Sequence, residues 1–356
     1  MRDFFIKRGF LEVSTPSLVP IPSLEPYLTP LDTTFMNERG RIFSGSLITS
    51  PEYSLKKLLA QGYGPKIFEI CKVWRGGESF GGLHNPEFTM LEWYHVGVDY
   101  KTIMEETEQL ICSLAPNPSF NYQGKQIDLS LPWPRLSMRE AWQKHAGVDL
   151  NDFLERDRMA WLVKNKGYQA GANDSFDDLF FKIFLNEIEP KLTSPTEVIP
   201  SEAPRRSLSR AKSKGSGQAP RSRGISSGIG RPLFLYDYPQ QMAALSRLSQ
   251  ADPRYAERFE LYLAGIELVN AFSELIDPVE QLERLKADQE LRQKLGKKVY
   301  PIDSAFIKAL ETGLPECGGI ALGVDRLVMI LTDSTDINEV IAFGAAETFG
   351  MSNTKL

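Results

Sequence analysis

Two glutamates, Glu267 and Glu274, interrupt an otherwise apolar segment of this chain, GIELVNAFSEL at residues 265–275. Carboxylate oxygens are ligands that Mg²⁺ prefers, so this pair could hold a divalent metal. Their odd spacing places the two side chains on opposite faces of a regular strand. They can meet at one metal only if the strand bends, and we expect the bend at Asn270–Ala271. Without a bend they are two separate edge glutamates.

A third glutamate, Glu92, lies in the segment NPEFTMLEWY at residues 85–94, which predicts a strand. Side chains alternate along a strand, so Phe88, Met90, Glu92 and Tyr94 share one face. A buried carboxylate without a partner is costly, so Glu92 needs either an internal arginine or the ammonium group of a ligand. Phe88 offers a flat ring on which a base could stack.

Two isolated arginines could bind phosphate. Arg75 ends a predicted strand just before a glycine loop, and its planar guanidinium suits a phosphate or carboxylate, although a solvated arginine beside a turn is the alternative. Arg326 lies between an apolar strand and an apolar helix, so it must bind a ligand or pair with Asp325. No P-loop and no GxGxxG motif occurs. We expect small residues near Arg326 to leave space for a nucleotide: Gly318, Gly319 and Gly323.

Bulk properties exclude several classes of protein. The 356 residues are 42% hydrophobic, enough for a large core, and the net charge of −5 argues against a field tuned to nucleic acid. Three cysteines and three histidines, without zinc spacing, favour neither a disulfide framework nor a zinc site. No apolar run approaches the ~20 residues of a membrane span, so we expect no membrane association and a cytoplasmic location.

The elements that must position these residues alternate along the chain. The pattern predicts strands at 66–74 and 87–96, a helix at 100–114, mostly helix over 135–190, strand again over 233–238 and 255–272, and strand, turn and helix around 319–331. We therefore predict an α+β fold, with a mostly antiparallel sheet flanked by helices, as one domain over 1–356. Residues 201–232 carry eight Lys or Arg and one Glu, so 193–232 is predicted to be a disordered basic insertion.

Five segments in order resemble the catalytic domain of class II aminoacyl-tRNA synthetases, in the lysyl branch. FIKRGFLEVSTP at 5–16 resembles the first family motif, without the helix that normally precedes it. Residues 68–94 resemble the second motif and 318–331 the third. GIELVNAFSEL is similar to the lysyl-type metal segment, and TSPEY at 49–53 to the amino-acid-binding segment. The abrupt start leads us to expect missing upstream residues, and it leaves open whether the family's homodimer survives here.

Within this branch the chain resembles the elongation factor P lysine ligases, through TSPEYSLKKLL, LHNPEFTMLEWY and CGGIALGVDRLVM. We expect no anticodon-binding domain before the first motif, as in that type. Ala321 stands where lysyl-tRNA synthetases usually have glycine and these ligases have alanine. Its methyl group is expected to turn the pocket toward (R)-β-lysine and away from α-lysine.

The resemblance implies ATP and Mg²⁺ as cofactors, and elongation factor P as the partner that receives lysine or (R)-β-lysine. Arg75 and Arg326 would grip the phosphates, and Glu267 and Glu274 would hold the metal; these four are the implied catalytic residues. The implied ATP site also includes Glu78, Asn85, Phe88, Leu268 and Gly323. The implied amino-acid site comprises Ser50, Glu52, Glu92, Tyr94, Asn270, Glu274 and Ala321.

Two alternatives stay open. One is an enzyme that charges tRNA with lysine, although tRNA is the less favoured partner. The other is a catalytically silent relative that only binds lysine. Two features depart from the family pattern: RGGE at 75–78 differs from the plainer Arg-Asn-Glu, and the basic insertion is not a family feature.

Overall fold

The structure, a computed structural model, describes residues 1–192 and 230–350. The strands of this part are β1 Leu11–Glu12, β2 Leu18–Val19, β3 Leu31–Met36, β4 Ile42–Leu47, β5 Lys66–Trp74, β6 Glu87–Val96, β7 Ser119–Tyr122, β8 Lys125–Asp128, β9 Arg135–Ser137, β10 Leu233–Pro239, β11 Tyr255–Leu263, β12 Ile266–Ser273 and β13 Cys317–Gly323. Its α-helices are α1 Arg2–Ile6, α2 Glu52–Ala60, α3 Tyr100–Leu114, α4 Met138–Ala141, α5 Arg156–Asn165, α6 Phe176–Ile183, α7 Glu189–Leu192, α8 Pro278–Lys294, α9 Ser304–Gly313, α10 Val324–Leu331 and α11 Ala345–Thr348.

Aspartates cap the helices that flank the sheet. Asp99 accepts hydrogen bonds from two backbone N–H groups at the start of α3, and Asp277 does the same for α8, whose first residue is Pro278. Asp303 caps α9 in the same way. Such caps satisfy backbone donors that the first turn leaves unpaired, so the sequence itself fixes where these helices begin.

An eight-stranded sheet in the order β1-β5-β6-β13-β12-β11-β10-β9 forms the centre of the fold. Its five inner pairings are antiparallel, and only the edge strands β1 and β9 pair in parallel. The predicted α+β fold with a mostly antiparallel sheet is confirmed, and β5, β6 and α3 have the predicted boundaries. The strand predicted over 255–272 is two antiparallel strands, β11 and β12, around a turn at Gly265.

Helices bury one face of this sheet. Leu91 and Trp93 of β6 are fully buried and belong to the same apolar core as Ile103 of α3 and Leu327 of α10. A second core joins α4, α5 and α6 to β10 and β11, and a third joins α2, α8 and α9. The alternate residues of β6 face the other way, so the centre of the opposite sheet face is open to a ligand.

The bend between Glu267 and Glu274 lies at Leu268 and not at Asn270–Ala271, so that prediction is wrong. Leu261 of β11 pairs with Val269 and the next residue pairs with Glu267, which leaves Leu268 as the extra residue of a β-bulge. A bulge adds one residue and restores the alternation that the odd spacing would break. Both glutamates therefore line the same side of the sheet.

Two of the three glycines near Arg326 serve packing, which corrects the expectation that they leave space for a nucleotide. A Cβ at Gly318 would lie 2.5 Å from Cγ1 of Ile103 in α3, so the glycine permits close helix–sheet contact. A Cβ at Gly319 would lie 2.0 Å from Oε1 of Glu274 and 2.3 Å from the Tyr94 ring. Only Gly323 has open space, since a Cβ there would meet nothing nearer than 3.8 Å.

Two expectations concern other parts of the chain. Nearly all of the predicted basic insertion, residues 193–229, lies outside the described residues. Across 1–192 and 230–350, no helix is both long and apolar enough to cross a membrane.

Candidate active site

One cavity of about 670 Å³ lies on the open face of the central sheet, between β6, β12 and β13 below and α2, α6 and α8 at its sides. The structure brings every site residue predicted from the sequence to this cavity. These residues are Ser50, Glu52, Arg75, Glu78, Asn85, Phe88, Glu92, Tyr94, Glu267, Leu268, Asn270, Glu274, Ala321, Gly323 and Arg326.

Glu92 lies at the floor of the cavity with only 1% of its surface exposed. The Ser50 hydroxyl donates to Oε1 at 2.6 Å, and the Tyr94 hydroxyl lies 3.4 Å from Oε2. Burial first, and then the nearby carboxylate of Glu52, raise the pKa of Glu92 well above its usual range. Within the described residues no arginine or lysine forms an ion pair with Glu92, so an internal arginine is not its partner.

A lysine that the sequence analysis did not single out lies beside this carboxylate. Lys56 of α2 is fully buried, and its Nζ lies 2.6 Å from Oε1 of Glu52 and 2.6 Å from Oε2 of Glu274. The contact with Glu274 is a close ion pair between two fully buried side chains. The signal for Lys56 was its place on the apolar stripe of α2, between Tyr53 and Leu59.

Arg75 lies at the other end of the cavity. Its guanidinium carbon is 5.1 Å from the centre of the Phe88 ring, and its buried Nε has no hydrogen-bond partner within 1–192 and 230–350. In the described part of the chain Arg75 forms no ion pair. A half-buried guanidinium without a charged partner can bind an anionic ligand. This favours Arg75 as a phosphate-binding residue over a solvated arginine beside a turn.

Arg326 does not pair with Asp325, whose carboxylate accepts from the Thr89 backbone N–H at 2.5 Å. The guanidinium of Arg326 donates instead to the backbone carbonyls of Leu83 and Glu267, and to Nε2 of His84 at 3.0 Å. Arginine can only donate, so this His84 nitrogen must be unprotonated. The lowered pKa of His84, caused by burial and then by Arg326, agrees with that. Neutral partners leave the charge of Arg326 available to a ligand.

Glu267 and Glu274 share the cavity but have different charged neighbours. Burial raises the pKa of Glu267 to about 7; the nearby carboxylate of Glu260 adds to this shift and Arg326 opposes it. Burial also raises the pKa of Glu274 to about 8, while Lys56 opposes the shift and Glu52 adds to it. Neither glutamate is among the main neighbours of the other, so the predicted convergence on one metal stays a prediction.

The carboxylate oxygens of Glu267 and Glu274 are the candidate ligands for Mg²⁺ in this cavity. The Glu267 carboxylate takes part in no hydrogen bond or ion pair among the described residues, and Oε1 of Glu274 has no hydrogen-bond partner. Buried carboxylate oxygens without partners fit a magnesium ion held jointly with phosphates. Across 1–192 and 230–350, no three His, Cys, Asp or Glu side chains cluster as a metal site without such a ligand.

The remaining predicted residues differ in how free they are to bind. Asn85 is occupied, since its amide donates to the Glu87 carbonyl and accepts from the Ala345 backbone N–H. The buried Oδ1 of Asn270 has no hydrogen-bond partner in the part of the chain that the structure describes, so it is free to bind a ligand. Ala321 of β13 is paired in register with Glu92 on one side and Asn270 on the other, so its methyl group lies between them.

The cavity also includes charged residues that the sequence analysis did not find. Arg258 and Glu260 of β11 form a 2.8 Å ion pair at the wall. Asp288 lies on α8, one of the helices at the side of the cavity. Burial raises its pKa to about 7, and the carboxylate of Glu25 adds to the shift. These residues come from segments far apart in the chain, which local patterns cannot connect.

The substitution Asp288→Asn is expected to make the ligand-free protein more stable than the parent at pH 8, with a much smaller difference between the two proteins at pH 5. The folded protein keeps the Asp288 proton up to about pH 7, whereas the unfolded chain loses it near its ordinary value of about 4, so stability falls as pH rises between them. We expect the free energy of unfolding to rise by about 2 kcal/mol at pH 8. This is about half of what a pKa shift of about three units would give, because Asp288 is partly exposed. Urea unfolding of both proteins at the two pH values tests this, and an equal difference at both would contradict it.

The geometry places two arginines, Arg75 and Arg326, and the buried carboxylate of Glu92 in one cleft of a mostly antiparallel sheet. This chain belongs to the class II tRNA synthetases, because the family model for tRNA synthetases class II (D, K and N) matches residues 1–347.

Two kinds of curated relatives resemble the chain to a similar degree. The elongation factor P–(R)-beta-lysine ligase of Vibrio cholerae is 36% identical over 348 residues, which cover 96% of this chain and 91% of that protein. A ligase of the same name from Pasteurella multocida is 36% identical over 347 residues, with 97% and 91% covered. The lysine–tRNA ligase of Pelotomaculum thermopropionicum is 34% identical over 351 residues. This match covers 96% of this chain but only 60% of the length of that relative.

Proposed function

We propose that this chain is an ATP-dependent ligase that activates lysine, and (R)-β-lysine in particular, as an aminoacyl-adenylate and transfers it to a lysine side chain of elongation factor P. The observation that carries the proposal is Glu92, a buried carboxylate that forms no ion pair among the described residues and lies in the same cavity as Arg75 and Arg326. A substrate that brings a distal ammonium to Glu92 and phosphates to the arginines satisfies all three groups.

In the first step the substrate carboxylate attacks the α-phosphorus of ATP, and pyrophosphate leaves in line with the new bond. Arg75 and Arg326 would bind the phosphates and offset the negative charge that builds up on their oxygens. Phe88 would stack on adenine, with Glu78, Asn85, Leu268 and Gly323 along the same end of the cavity.

Glu267 and Glu274 would hold Mg²⁺ at the nucleotide end, where the ion neutralises phosphate charge. We expect Glu267 to be the stronger ligand, because Oε2 of Glu274 already lies beside Lys56.

The amino-acid end is the more acidic part of the cavity. Ser50 and Glu52 would bind the amino group nearer the carboxylate, while Glu92 and Tyr94 would bind the distal ammonium. Asn270, with its unpartnered oxygen, is a further acceptor for an amine. In the second step a lysine amine of elongation factor P attacks the activated carbonyl, an amide bond forms, AMP leaves, and the amine loses its proton to solvent.

The choice of acceptor rests on Ala321. Identities to the two kinds of relatives are nearly equal, so overall similarity does not separate elongation factor P from tRNA. The methyl group of Ala321, next to Glu92 in register, narrows the pocket at the position where the lysyl-tRNA synthetase pattern has glycine. This favours the elongation factor P ligases, and lysine–tRNA ligation is the second candidate.

An ATP–pyrophosphate exchange assay with (R)-β-lysine and with α-lysine tests the first step. We expect exchange with both and a higher kcat/KM for (R)-β-lysine, and no exchange with either would refute the proposal. Transfer of the radiolabelled amino acid to purified elongation factor P or to tRNA then decides the acceptor. Label on tRNA alone would support the second candidate instead.

A homodimer is part of the proposal. Ile6 and Leu11, in the segment that resembles the first family motif, are 56% and 47% exposed, and β1 is an edge strand. Exposed apolar groups on a sheet edge favour association. Light scattering of the purified chain measures its mass, and a monomer at micromolar concentration would contradict this part alone.

A further inference from the structure

Lys56 is a lysine of the cavity region whose side chain is fully buried. Lysine is almost never fully buried unless its ammonium is paired. Here two carboxylates pair with it at 2.6 Å each, Glu52 from the same helix and Glu274 from the end of β12. Both of these carboxylates line the cavity, whereas Lys56 lies behind them.

We propose that Lys56 is a positioning residue that determines specificity: it holds Glu52 and Glu274 in place and sets the charge of the amino-acid pocket to suit a substrate with two ammonium groups. This inference rests on the proposed activation of lysine and adds the reason why the pocket would select a diamino acid.

The charge of the cluster supports this role. Burial raises the pKa of Glu92 and of Glu274 in the ligand-free protein, so the charges are counted for the substrate-bound state in which all four side chains are ionised. In that state Glu52, Glu92 and Glu274 contribute three negative charges and Lys56 one positive charge, so the cluster carries −2. Lysine and β-lysine each bring two ammonium groups, which balance it. An amino acid with one ammonium group leaves a buried carboxylate uncompensated, and burying an unpaired charge is strongly unfavourable.

The packing supports it as well. The Lys56 ammonium lies 5.9 Å from the centre of the Phe306 ring, which stacks on Tyr53 with ring centres 4.2 Å apart. The side chain is thus fixed between α2 and α9. Lys56 contacts Oε2 of Glu274 and leaves Oε1 without a hydrogen bond, and the missing side chain at Gly319 gives Oε1 its space.

Lys56→Met and Lys56→Gln test the inference in the ATP–pyrophosphate exchange assay. Without the ammonium, Glu52 and Glu274 repel each other and turn away or take up protons, so both variants should bind the substrate poorly. We expect the KM for lysine to rise about 30-fold or more. The KM for ATP should rise much less, because Glu267, the stronger of the two proposed metal ligands, forms no ion pair with Lys56 among the described residues. Discrimination between lysine and norleucine, which lacks the distal amine, should fall by a similar factor.

Lys57→Met is the matched control. Lys57 is the next residue of the same helix, and its ammonium also pairs with a carboxylate, that of Asp303, 2.5 Å away and outside the cavity. This variant is expected to lose some thermal stability and to keep its KM for lysine.

The outcomes separate the two proposals. If the parent protein exchanges pyrophosphate but a folded Lys56 variant keeps its lysine KM within threefold, the role of Lys56 is refuted and the proposed function stands. An equal rise in the KM for lysine and ATP would also refute it, since that indicates general damage. If the parent protein shows no exchange with either isomer, the proposed function itself fails. If Lys56→Met does not fold, Lys56→Gln, which can still hydrogen-bond to both carboxylates, gives the decision.

Discussion

Glu92→Gln is expected to reduce kcat/KM for lysine in ATP–pyrophosphate exchange by about 10³-fold, mostly through KM. Glutamine has nearly the same shape and can still accept the hydrogen bond from Ser50, so the fold should persist. It loses the negative charge that we expect to bind the distal ammonium, and it leaves that ammonium buried without a counter-charge. Removal of a costly buried carboxylate should also make the ligand-free variant more stable than the parent protein.

Glu69→Gln is the control for this prediction. Glu69 lies opposite Glu92 on the neighbouring strand β5 and is also buried, but it accepts two hydrogen bonds from Thr15 and does not line the cavity. We expect it to lose stability and to keep its KM for lysine. Equal kinetic losses in both variants, or a Glu92→Gln enzyme with a normal KM, would contradict the proposed role of Glu92.

The strands that hold Glu92 could be predicted from the sequence because their signals are local. Alternation of apolar and polar residues gave the bounds of β5 and β6, and it placed Glu92 on the face opposite Leu91 and Trp93. The register of β6 against β13 brought Ala321 beside Glu92, and this required the partner strand. A pattern along one segment therefore predicts which face a residue occupies, and pairing between segments decides what it contacts.

The bulge at Leu268 shows the limit of such reasoning. The odd spacing of Glu267 and Glu274 showed that a bend was needed, but not where. Its position depends on which residue of β11 pairs with which residue of β12, a property of two strands together. The sequence predicted the need for an irregularity, and the neighbouring strand determined its location.

Lys56 shows a different limit. In the sequence it is one of two adjacent lysines, and lysines are normally solvated, so its place on the apolar stripe of α2 was only a weak signal. Its partner Glu274 is more than two hundred residues away in the chain, so only the fold shows that one lysine is buried and the other is not. Buried charges that pair over long distances are thus the part of this site that sequence patterns could not reveal.

Arg326→Met is expected to lower kcat for ATP–pyrophosphate exchange by about 10³-fold or more, the range found when an arginine that stabilises phosphoryl-transfer charge is removed. Among the described residues Arg326 donates hydrogen bonds to neutral groups, two carbonyls and His84, and it forms no ion pair, although its charge lowers the pKa of the nearby Glu267. The loss should therefore appear in the reaction of ATP more than in stability. Arg326→Lys should recover part of the rate, because it restores the charge without the planar fork.

Arg292→Met separates this effect from simple loss of a buried arginine. Arg292 is 1% exposed and also donates to backbone carbonyls, those of Glu25, Leu28 and Lys298, but it does not line the cavity. Its replacement should lower the melting temperature while leaving kcat of the folded enzyme within about threefold. Lysine binding measured by calorimetry should be unchanged in Arg326→Met. If lysine binding fell together with kcat, Arg326 would act on the whole pocket, and the division of the cavity into a phosphate end and an ammonium end would be wrong.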